Sequence, residues 1–249
     1  MRFDDRVVLV TGGGTGIGRA TARAFAARGA TVVVAGIDEE PLREAVRTIA
    51  DEGGHAAHIR VDVTDEDQVR HMVQSTVDRH GRLDVAFNNA GVMVVGRVAE
   101  LDGDQWATAL SIATGTWLSM KHEIAHMRAN GGGVIVNMSS IVGPHRRIPG
   151  TGAYAAAKAA ITALSRTAAL EHIGDGIRVA TVSPGPIATP LSLIRGETPA
   201  QQAARLAGAL PIGRAGTVEE VADAVLWLAS PDAAFAVGTD IVLDGGATA

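Results

Sequence analysis

The sequence predicts a single-domain α/β fold in which helices flank both faces of a doubly wound parallel β-sheet. Short β-branched runs alternate with longer alanine-rich segments along the 249-residue chain. The short runs are almost continuously apolar, as is typical of strands that helices cover on both faces. No proline- or serine-rich linker, repeat or low-complexity segment interrupts this alternation. Residues 1–249 are therefore predicted to form one domain.

Seven strands are predicted, and helices are expected between them. The apolar runs that predict the strands are residues 6–10, 31–36, 55–63, 83–91, 132–140, 177–185 and 239–246. Two of the helices are expected near 102–129 and from about Gly152 onward, and Thr64 stands at an expected helix start.

Residues 186–216 are predicted to be a substrate-loop insertion. They follow the C-terminal end of a strand, where open sheets bind ligands, and they are long enough to form a mobile lid. Their leucines and isoleucine favour an apolar pocket, with ordinary packing as the alternative. These residues are Leu191, Leu193, Ile194, Leu206 and Leu210.

The composition argues against several classes of function. The net charge is −5 with both signs mixed along the chain, and aromatic residues make up only 3%, so nucleic-acid binding is not expected. The chain has no cysteine, which excludes disulfides, thiolate metal sites and thiol nucleophiles. The N-terminus does not resemble a signal peptide, and no apolar run reaches membrane-spanning length. A cytoplasmic protein is the expectation.

A glycine-rich stretch, TGGGTGIG (11–18), joins the first predicted strand to the first predicted helix. Glycines permit a tight turn and let backbone N–H groups at a helix N-terminus approach a diphosphate. Gly12, Gly16 and Gly18 have the spacing T-G-x-x-x-G-x-G. The strand before the loop and the helix after it favour a nucleotide site over an ordinary glycine-rich turn.

Five further motifs follow the glycine loop. They are DV (62–63), NNAG (88–91), the serine that ends VIVNMSS (Ser140), YAAAK (154–158) and PGPIAT (184–189). Each is weak alone, but in this order and spacing the chain resembles the short-chain dehydrogenase/reductase (SDR) family over essentially its full length. The resemblance implies a Rossmann fold, a homotetramer and an NAD(P)(H)-dependent oxidoreductase. Its reaction would be hydride transfer between nicotinamide and a secondary alcohol or ketone.

Ser140, Tyr154 and Lys158 are the expected catalytic residues. Tyr154 and Lys158 are four residues apart and share one face of the predicted helix. A phenol ordinarily has a pKa near ~10, and a neighbouring ammonium favours the phenolate, so we expect a lowered pKa and a role as general acid and base. Ser140 would hydrogen-bond the substrate oxygen. Ser139 competes for this role, and the resemblance selects the second serine.

The resemblance also assigns contacts with the coenzyme. The residues expected on the adenosine side are Asp62, Val63, Asn88, Ala90 and Gly91. Those expected near the phosphates and the adenosine ribose are Gly12, Gly16, Ile17, Gly18, Ile37 and Asp38. The nicotinamide half is expected to contact Tyr154, Lys158, the Ile187 backbone and the Thr189 hydroxyl.

The chain departs from the family at the residues that distinguish NAD from NADP. Gly36 stands where NAD-preferring members often have an aspartate that accepts hydrogen bonds from the ribose. Ile37, Gly14 and Thr15 occupy the places where NADP-preferring members usually have an arginine. Asp38 is nearby and would repel a 2′-phosphate. NAD(H) is therefore favoured, and NADP(H) stays an alternative.

A second departure concerns an asparagine that the family usually has in the helix before the catalytic serine. The stretch SIATG (111–115) has none, and Ile112 or Ala113 takes its place depending on the direction of counting. In the family this asparagine helps to hold a water between the lysine and solvent. A slower enzyme, or one with another water arrangement, is predicted.

Two other motifs allow different interpretations. HEIAH (122–126) matches the H-E-x-x-H zinc site of metallopeptidases, but no convincing third ligand accompanies it, so no metal site is predicted. The basic loop His145–Arg147 attracts an acidic substrate in one interpretation and is simply solvated in the other. A non-catalytic nucleotide-binding protein of the same fold and an epimerase or dehydratase stay open as alternatives to the dehydrogenase.

Overall fold

A seven-stranded parallel sheet forms the centre of the structure, a computed structural model that describes residues 1–192 and 196–249. The strands are β1 (Val7–Thr11), β2 (Thr31–Gly36), β3 (His55–Arg60), β4 (Val85–Asn88), β5 (Gly133–Met138), β6 (Ile177–Pro184) and β7 (Asp240–Leu243). Their order across the sheet is β3-β2-β1-β4-β5-β6-β7. The order reverses between β1 and β4, so a ligand crevice opens at the C-terminal ends of these two strands.

Helices cover both faces of the sheet. Those in the described ranges are α1 (Gly16–Ala26), α2 (Glu39–Asp51), α3 (Glu66–His80), α4 (Gly103–Ala129), α5 (Gly152–His172), α6 (Pro199–Ala209) and α7 (Val218–Ala229). One apolar core joins α1, α2 and α7 to one face, and a second joins α3, α4 and α5 to the other. This arrangement confirms the predicted doubly wound parallel sheet.

Alternation along the strands explains why both cores are apolar. On β4, Phe87 packs in the core with α1 and Ala86 packs in the core with α4, because successive strand residues point to opposite faces. On β5, Val136 packs in the core with α1 and Ile135 packs in the core with α4. The continuous apolar runs in the sequence therefore correspond to strands buried on both sides.

Several strands end earlier than the sequence predicts. The strand predicted over 83–91 covers Val85–Asn88, because Asn89 leaves the sheet to bind the glycine loop. The strand predicted over 55–63 ends at Arg60, because the chain turns at Asp62, whose carboxylate accepts from the Thr64 amide and hydroxyl. Helix α3 consequently begins after Asp65, which is its N-cap.

The substrate-loop insertion contains regular structure. Pro190–Ser192 form a short 3₁₀ helix, and α6 follows, with Thr198 as its N-cap. Leu206 and Leu210 are buried, whereas Leu191 is exposed. Leu193 and Ile194 lie outside the described residues. Within the described ranges no helix combines the length and the apolar character needed to cross a membrane.

Candidate active site

The glycine loop between β1 and α1 is tightly packed. Gly12 has φ +63°, a region in which side chains other than glycine are strained. A Cβ on Gly18 would lie 2.1 Å from the Gly12 carbonyl oxygen, and one on Gly13 would lie 2.7 Å from the Val34 side chain. Larger residues at these positions would therefore displace the loop from the sheet.

The N-terminus of α1 is suited to an anion. Its N-cap, Thr15, makes no side-chain capping bond, and the first turn has no acidic residue. Helices α2 and α3, by contrast, each begin with two acidic residues. Among the described residues, a Cβ on Gly16 would meet only the Thr189 methyl group, at 3.8 Å. The backbone N–H groups of this turn and the positive end of the helix dipole fit the diphosphate of a dinucleotide.

Asn89 holds the glycine loop in place, a role that the sequence interpretation missed. Its side-chain amide donates to the carbonyls of Thr11 (3.3 Å) and Gly12 (3.2 Å). The backbone amides of Asn89 and Ala90 donate to the Thr11 hydroxyl, at 3.1 and 3.2 Å. Four hydrogen bonds from Asn89 and Ala90 thus hold the start of the loop. The NNAG motif was the available signal, but it did not show which asparagine faces the loop.

The Asn88 side chain points into the interior of the protein. Its amide is buried and donates to Asn137 Oδ1 and to Glu123 Oε2, both at 2.9 Å. The reason is strand alternation, which points the last residue of β4 into the layer of α4 and α5. The expected contact between Asn88 and the adenosine stays a prediction, and the buried side chain leaves the backbone of Asn88 to make it.

Four of the residues expected to contact the coenzyme follow the C-terminal ends of β2 and β3: Ile37, Asp38, Asp62 and Val63. Ile37 and Asp38 are exposed, and Asp38 is the N-cap of α2. Arg60 donates its Nε to the Ile37 carbonyl at 3.1 Å. A Cβ on Gly36 would meet only Leu42, at an ordinary 3.7 Å, so an aspartate would fit there.

Val63 and Asp62 are fixed by neighbours on the same side of the site. The Asp62 carboxylate is held by Thr64, and Val63 packs so closely on α4 that a Cβ on Gly115 would lie 2.7 Å from its Cγ2. These contacts give the expected adenine-binding segment a defined position.

The structure brings the three expected catalytic residues together where β5 meets α5. All three are buried, and the Ser140 hydroxyl is near enough to the Tyr154 phenol to lower its pKa. Lys158 Nζ lies 5.7 Å from the centre of the Tyr154 ring and donates to the Met138 carbonyl at 2.7 Å. A hydroxyl, a phenol and an amine therefore converge in a site that excludes most water.

The two adjacent serines have different partners. Ser139 Oγ donates to the Lys158 carbonyl at 3.1 Å and lies 2.7 Å from the Thr162 hydroxyl, so it is committed to α5. Ser140 Oγ accepts from the Val142 amide at 3.1 Å and faces Tyr154. Only the second serine presents its hydroxyl to the phenol.

The expected lowering of the Tyr154 pKa is wrong for the protein by itself. Burial raises the pKa of Tyr154, and the Ser140 hydroxyl lowers it only in part. Burial also lowers the pKa of Lys158 to about 8. Both residues lose the water that would stabilise their charged forms, and the amine is directed to the Met138 carbonyl.

Ile112 is the residue that stands in place of the family asparagine. A Cβ on Gly91 would lie 3.6 Å from Ile112 Cγ2 and 3.8 Å from Lys158 Nζ, so Ile112 and the amine border the same small space. Ile112 is buried, and its side chain offers no hydrogen bond. The structure therefore supports Ile112, which is reached by counting back from Gly115, over Ala113 as the position of the family asparagine.

The segment that carries Ile187 and Thr189 lies next to the glycine loop. Pairing with Gly216 fixes this segment, because the Ala188 amide donates to the Gly216 carbonyl and the Gly216 amide donates to that of Pro186. Ile187 is buried, and the Thr189 methyl group faces Gly16. The two segments that the sequence assigns to opposite ends of the coenzyme therefore border one crevice.

The HEIAH residues face in different directions. Glu123 is completely buried against Asn88, while His122 Nε2 lies 3.4 Å from Glu66 and His126 contacts Asn130. Across residues 1–192 and 196–249, no three His, Asp or Glu side chains are grouped so that they could hold a metal ion.

Comparison with known proteins gives full-length matches. A family model described as Enoyl-(Acyl carrier protein) reductase matches residues 12–248. Cis-4-hydroxycyclohexanecarboxylate dehydrogenase of Sinomonas cyclohexanicum is 43% identical over 99% of this chain and 98% of its own. Cyclohexanol dehydrogenase of Acinetobacter sp. is 38% identical over 99% and 96%. The crystal structure of levodione reductase superimposes with a TM-score of 0.94, at 34% identity and 99% coverage of both chains.

Proposed function

Because the chain belongs to the short-chain dehydrogenase/reductase family, we propose that it transfers a hydride between a nicotinamide coenzyme and a cyclic secondary alcohol or ketone. The observation that carries this proposal is the burial of Ser140, Tyr154 and Lys158 together, on the same edge of the sheet as the glycine loop.

Each side chain has a distinct part in this reaction. Tyr154 removes the carbinol proton during oxidation and returns it during reduction. Ser140 donates a hydrogen bond to the substrate oxygen, where charge develops. Lys158 stabilises the phenolate by its charge and holds the coenzyme ribose. The bound nicotinamide supplies the hydride acceptor or donor and, when oxidised, a positive charge that favours the phenolate.

The proposed substrate class is supported by the surroundings of Tyr154. The phenol packs in a cluster with Ile112, Ile141 and Val142, so the carbon skeleton of the substrate meets apolar side chains. Relatives named for cyclohexanol and for cis-4-hydroxycyclohexanecarboxylate have full-length similarity to this chain. A saturated six-membered ring with one hydroxyl is the first substrate to test.

The proposed coenzyme is NAD(H), with NADP(H) as the alternative. Asp38 is exposed near the end of β2, where its carboxylate repels a 2′-phosphate. Arg60 is a cation at the end of β3, but its Nε is engaged by the Ile37 carbonyl. The ratio of kcat/KM with NADH to that with NADPH on one ketone tests this choice, and a ratio below one overturns it.

The proposed assembly is a homotetramer, and the proposed location is the cytoplasm. Large apolar residues are exposed on α4 and α5, among them Trp117, Leu164 and Leu170. Such a surface favours association with other copies of the chain. Light scattering of the purified protein tests the proposed assembly, and a monomeric mass contradicts it.

The catalytic proposal is tested by Tyr154→Phe. We expect kcat for cyclohexanol oxidation to fall by about 10² or more, with coenzyme binding retained. Tyr154 is the only tyrosine in the chain, so the tyrosinate absorption band reports its pKa directly. We expect a pKa above the ordinary value in the free protein and a lower pKa with bound NAD⁺. Unchanged turnover in the variant would refute the proposal.

A non-catalytic nucleotide-binding protein is the second candidate, and Ile112 is the observation that favours it. Its apolar side chain borders Lys158 where the family has an amide. Tight NADH binding without turnover across cyclic, linear and acyl ketones would establish this alternative. Turnover that depends on Tyr154 excludes it.

A further inference from the structure

The turn that follows Ser140 folds back on itself. The backbone amides of His145 and Arg146 both donate to the Ile141 carbonyl, at 3.1 and 2.7 Å. The Gly143 amide donates to the Arg146 carbonyl at 2.9 Å. Residues 141–146 are therefore one hydrogen-bonded unit, which we call the serine turn.

The serine turn contacts the catalytic serine directly. Its Val142 amide donates to Ser140 Oγ at 3.1 Å. A hydroxyl that accepts one hydrogen bond from a fixed amide has a restricted orientation, and its own proton is left to be donated elsewhere. The same hydroxyl lowers the pKa of Tyr154. The position of the turn thus sets the direction of the Ser140 hydroxyl.

A buried carboxylate fastens the serine turn to the far edge of the sheet. His145 Nε2 lies 2.7 Å from Asp240 Oδ2, and the Asp240 side chain is only 1% exposed. The other oxygen, Oδ1, accepts from the Ser183 hydroxyl at 2.7 Å. Both carboxylate oxygens are engaged, one by β6 and one by the turn. Hydrogen bonds to a buried carboxylate are among the stronger ones in proteins.

The contact corrects the interpretation of the basic loop. The imidazole of His145 is directed to Asp240, and the Arg147 guanidinium donates to the Gly143 carbonyl. Two of the three basic side chains therefore stabilise the loop itself. The geometry therefore does not favour a role for these two groups in attracting an acidic substrate.

We propose that His145, through Asp240, is a positioning residue that holds the serine turn and so directs the Ser140 hydroxyl toward Tyr154 and the substrate oxygen. This inference rests on the proposed function. The start of the turn has a second attachment, because the Ile141 amide donates to the Pro184 carbonyl at 3.0 Å. His145 is the side-chain attachment of its distal half.

The kinetic test uses His145→Ala, with His145→Gln as the conservative variant. We expect kcat to fall about tenfold in His145→Ala, less than the ~10²–10³ that loss of an oxyanion-stabilising donor costs. The coenzyme KM stays unchanged because the glycine loop is not touched. His145→Gln restores most of kcat, since its amide N–H replaces the Nε2 donor.

His172→Ala is the matched control. It removes a similar pair, His172 Nδ1 to Asp175 Oδ2 at 2.9 Å, from the C-terminal end of α5. We expect it to leave kcat and both KM values unchanged. An equal fall of kcat in the two alanine variants, or none in His145→Ala, would overturn the proposal.

A second readout is independent of turnover. The Ser140 hydroxyl lowers the pKa of Tyr154, so a misdirected serine raises that pKa, and the single tyrosine makes the change visible in the tyrosinate band. Amide hydrogen exchange in residues 142–147 is expected to accelerate in His145→Ala and not in His172→Ala. If both signals change while the wild type turns over no substrate, the proposed function fails and the positioning role stands. Unchanged signals refute the positioning role whatever the activity.

Discussion

Replacing Glu123 by glutamine is expected to make the protein gain stability relative to the wild type as the pH rises from acidic to alkaline. Glu123 is completely buried between α4 and the sheet. Its Oε2 accepts from Asn88 at 2.9 Å, and its Oε1 has no hydrogen-bond partner within the part of the chain that the structure describes. Burial raises the pKa of Glu123 from 4.5 to about 7, and the Asn88 bond opposes this only in part.

The magnitude follows from the two pKa values. Between pH 4.5 and about 7 the folded protein keeps a proton that the unfolded chain has released, so the free energy of unfolding falls as pH rises through this interval. Each pH unit is worth ~1.4 kcal/mol, so the full cost above pH 7 is about 3 kcal/mol. Below pH 4.5 this cost is absent.

Glu123→Gln removes the ionisation and keeps an acceptor for Asn88. Its new N–H groups add an offset of about 1–3 kcal/mol if they find no acceptor, and this offset does not depend on pH. The diagnostic quantity is therefore the slope of the stability difference between the variant and the wild type against pH. The stability of the variant relative to the wild type should increase by about 3 kcal/mol between about pH 4.5 and about pH 8.

Urea unfolding at fixed protein concentration measures this difference, since association of subunits adds its own dependence on concentration. Glu171→Gln, at an exposed position on α5, is the matched control and should follow the wild type at every pH. Parallel pH curves for the wild type and Glu123→Gln would refute the reasoning, because they would mean that burial does not bias the carboxyl toward its neutral form.

Two further predictions concern turnover and coenzyme choice. Ile112→Asn is expected to raise kcat about threefold or more by restoring an amide beside Lys158, whereas Ala113→Asn is expected to leave kcat unchanged. Stopped-flow kinetics measure both variants. No gain in kcat from either variant would contradict the argument that the missing asparagine slows proton transfer. Gly36→Asp is expected to shift the kcat/KM ratio about tenfold toward NADH, ~1.4 kcal/mol, because the added carboxylate repels a 2′-phosphate. Gly36→Asn has nearly the same size without the charge, and an equal shift in that variant would show that charge is not the cause.

Local sequence patterns were sufficient to predict the sheet and most of the helices. Apolar runs mark strands buried on both faces, and the interval between Tyr154 and Lys158 places them on one side of α5. Only the family resemblance selected Ser140 over Ser139 from the sequence. The structure shows a physical difference between the two serines. The Ser139 hydroxyl is bonded to the Lys158 carbonyl, which a linear pattern does not reveal.

The remaining features depend on which residues meet across the fold. Asn88 and Asn89 are adjacent and identical, yet one enters the interior and the other binds the glycine loop. The pKa of Tyr154 is dominated by burial, which the neighbouring lysine does not reveal. His145 and Asp240 are 95 residues apart, so no local motif connects them.

The contacts of Asn89 have a consequence for the speed of the catalytic cycle. Its amide donates to the carbonyls of Thr11 and Gly12 and so holds the start of the loop. A binding loop that is already ordered loses little conformational entropy when a dinucleotide arrives, and little has to be recovered when the spent one departs. The loop itself therefore need not refold between one dinucleotide and the next.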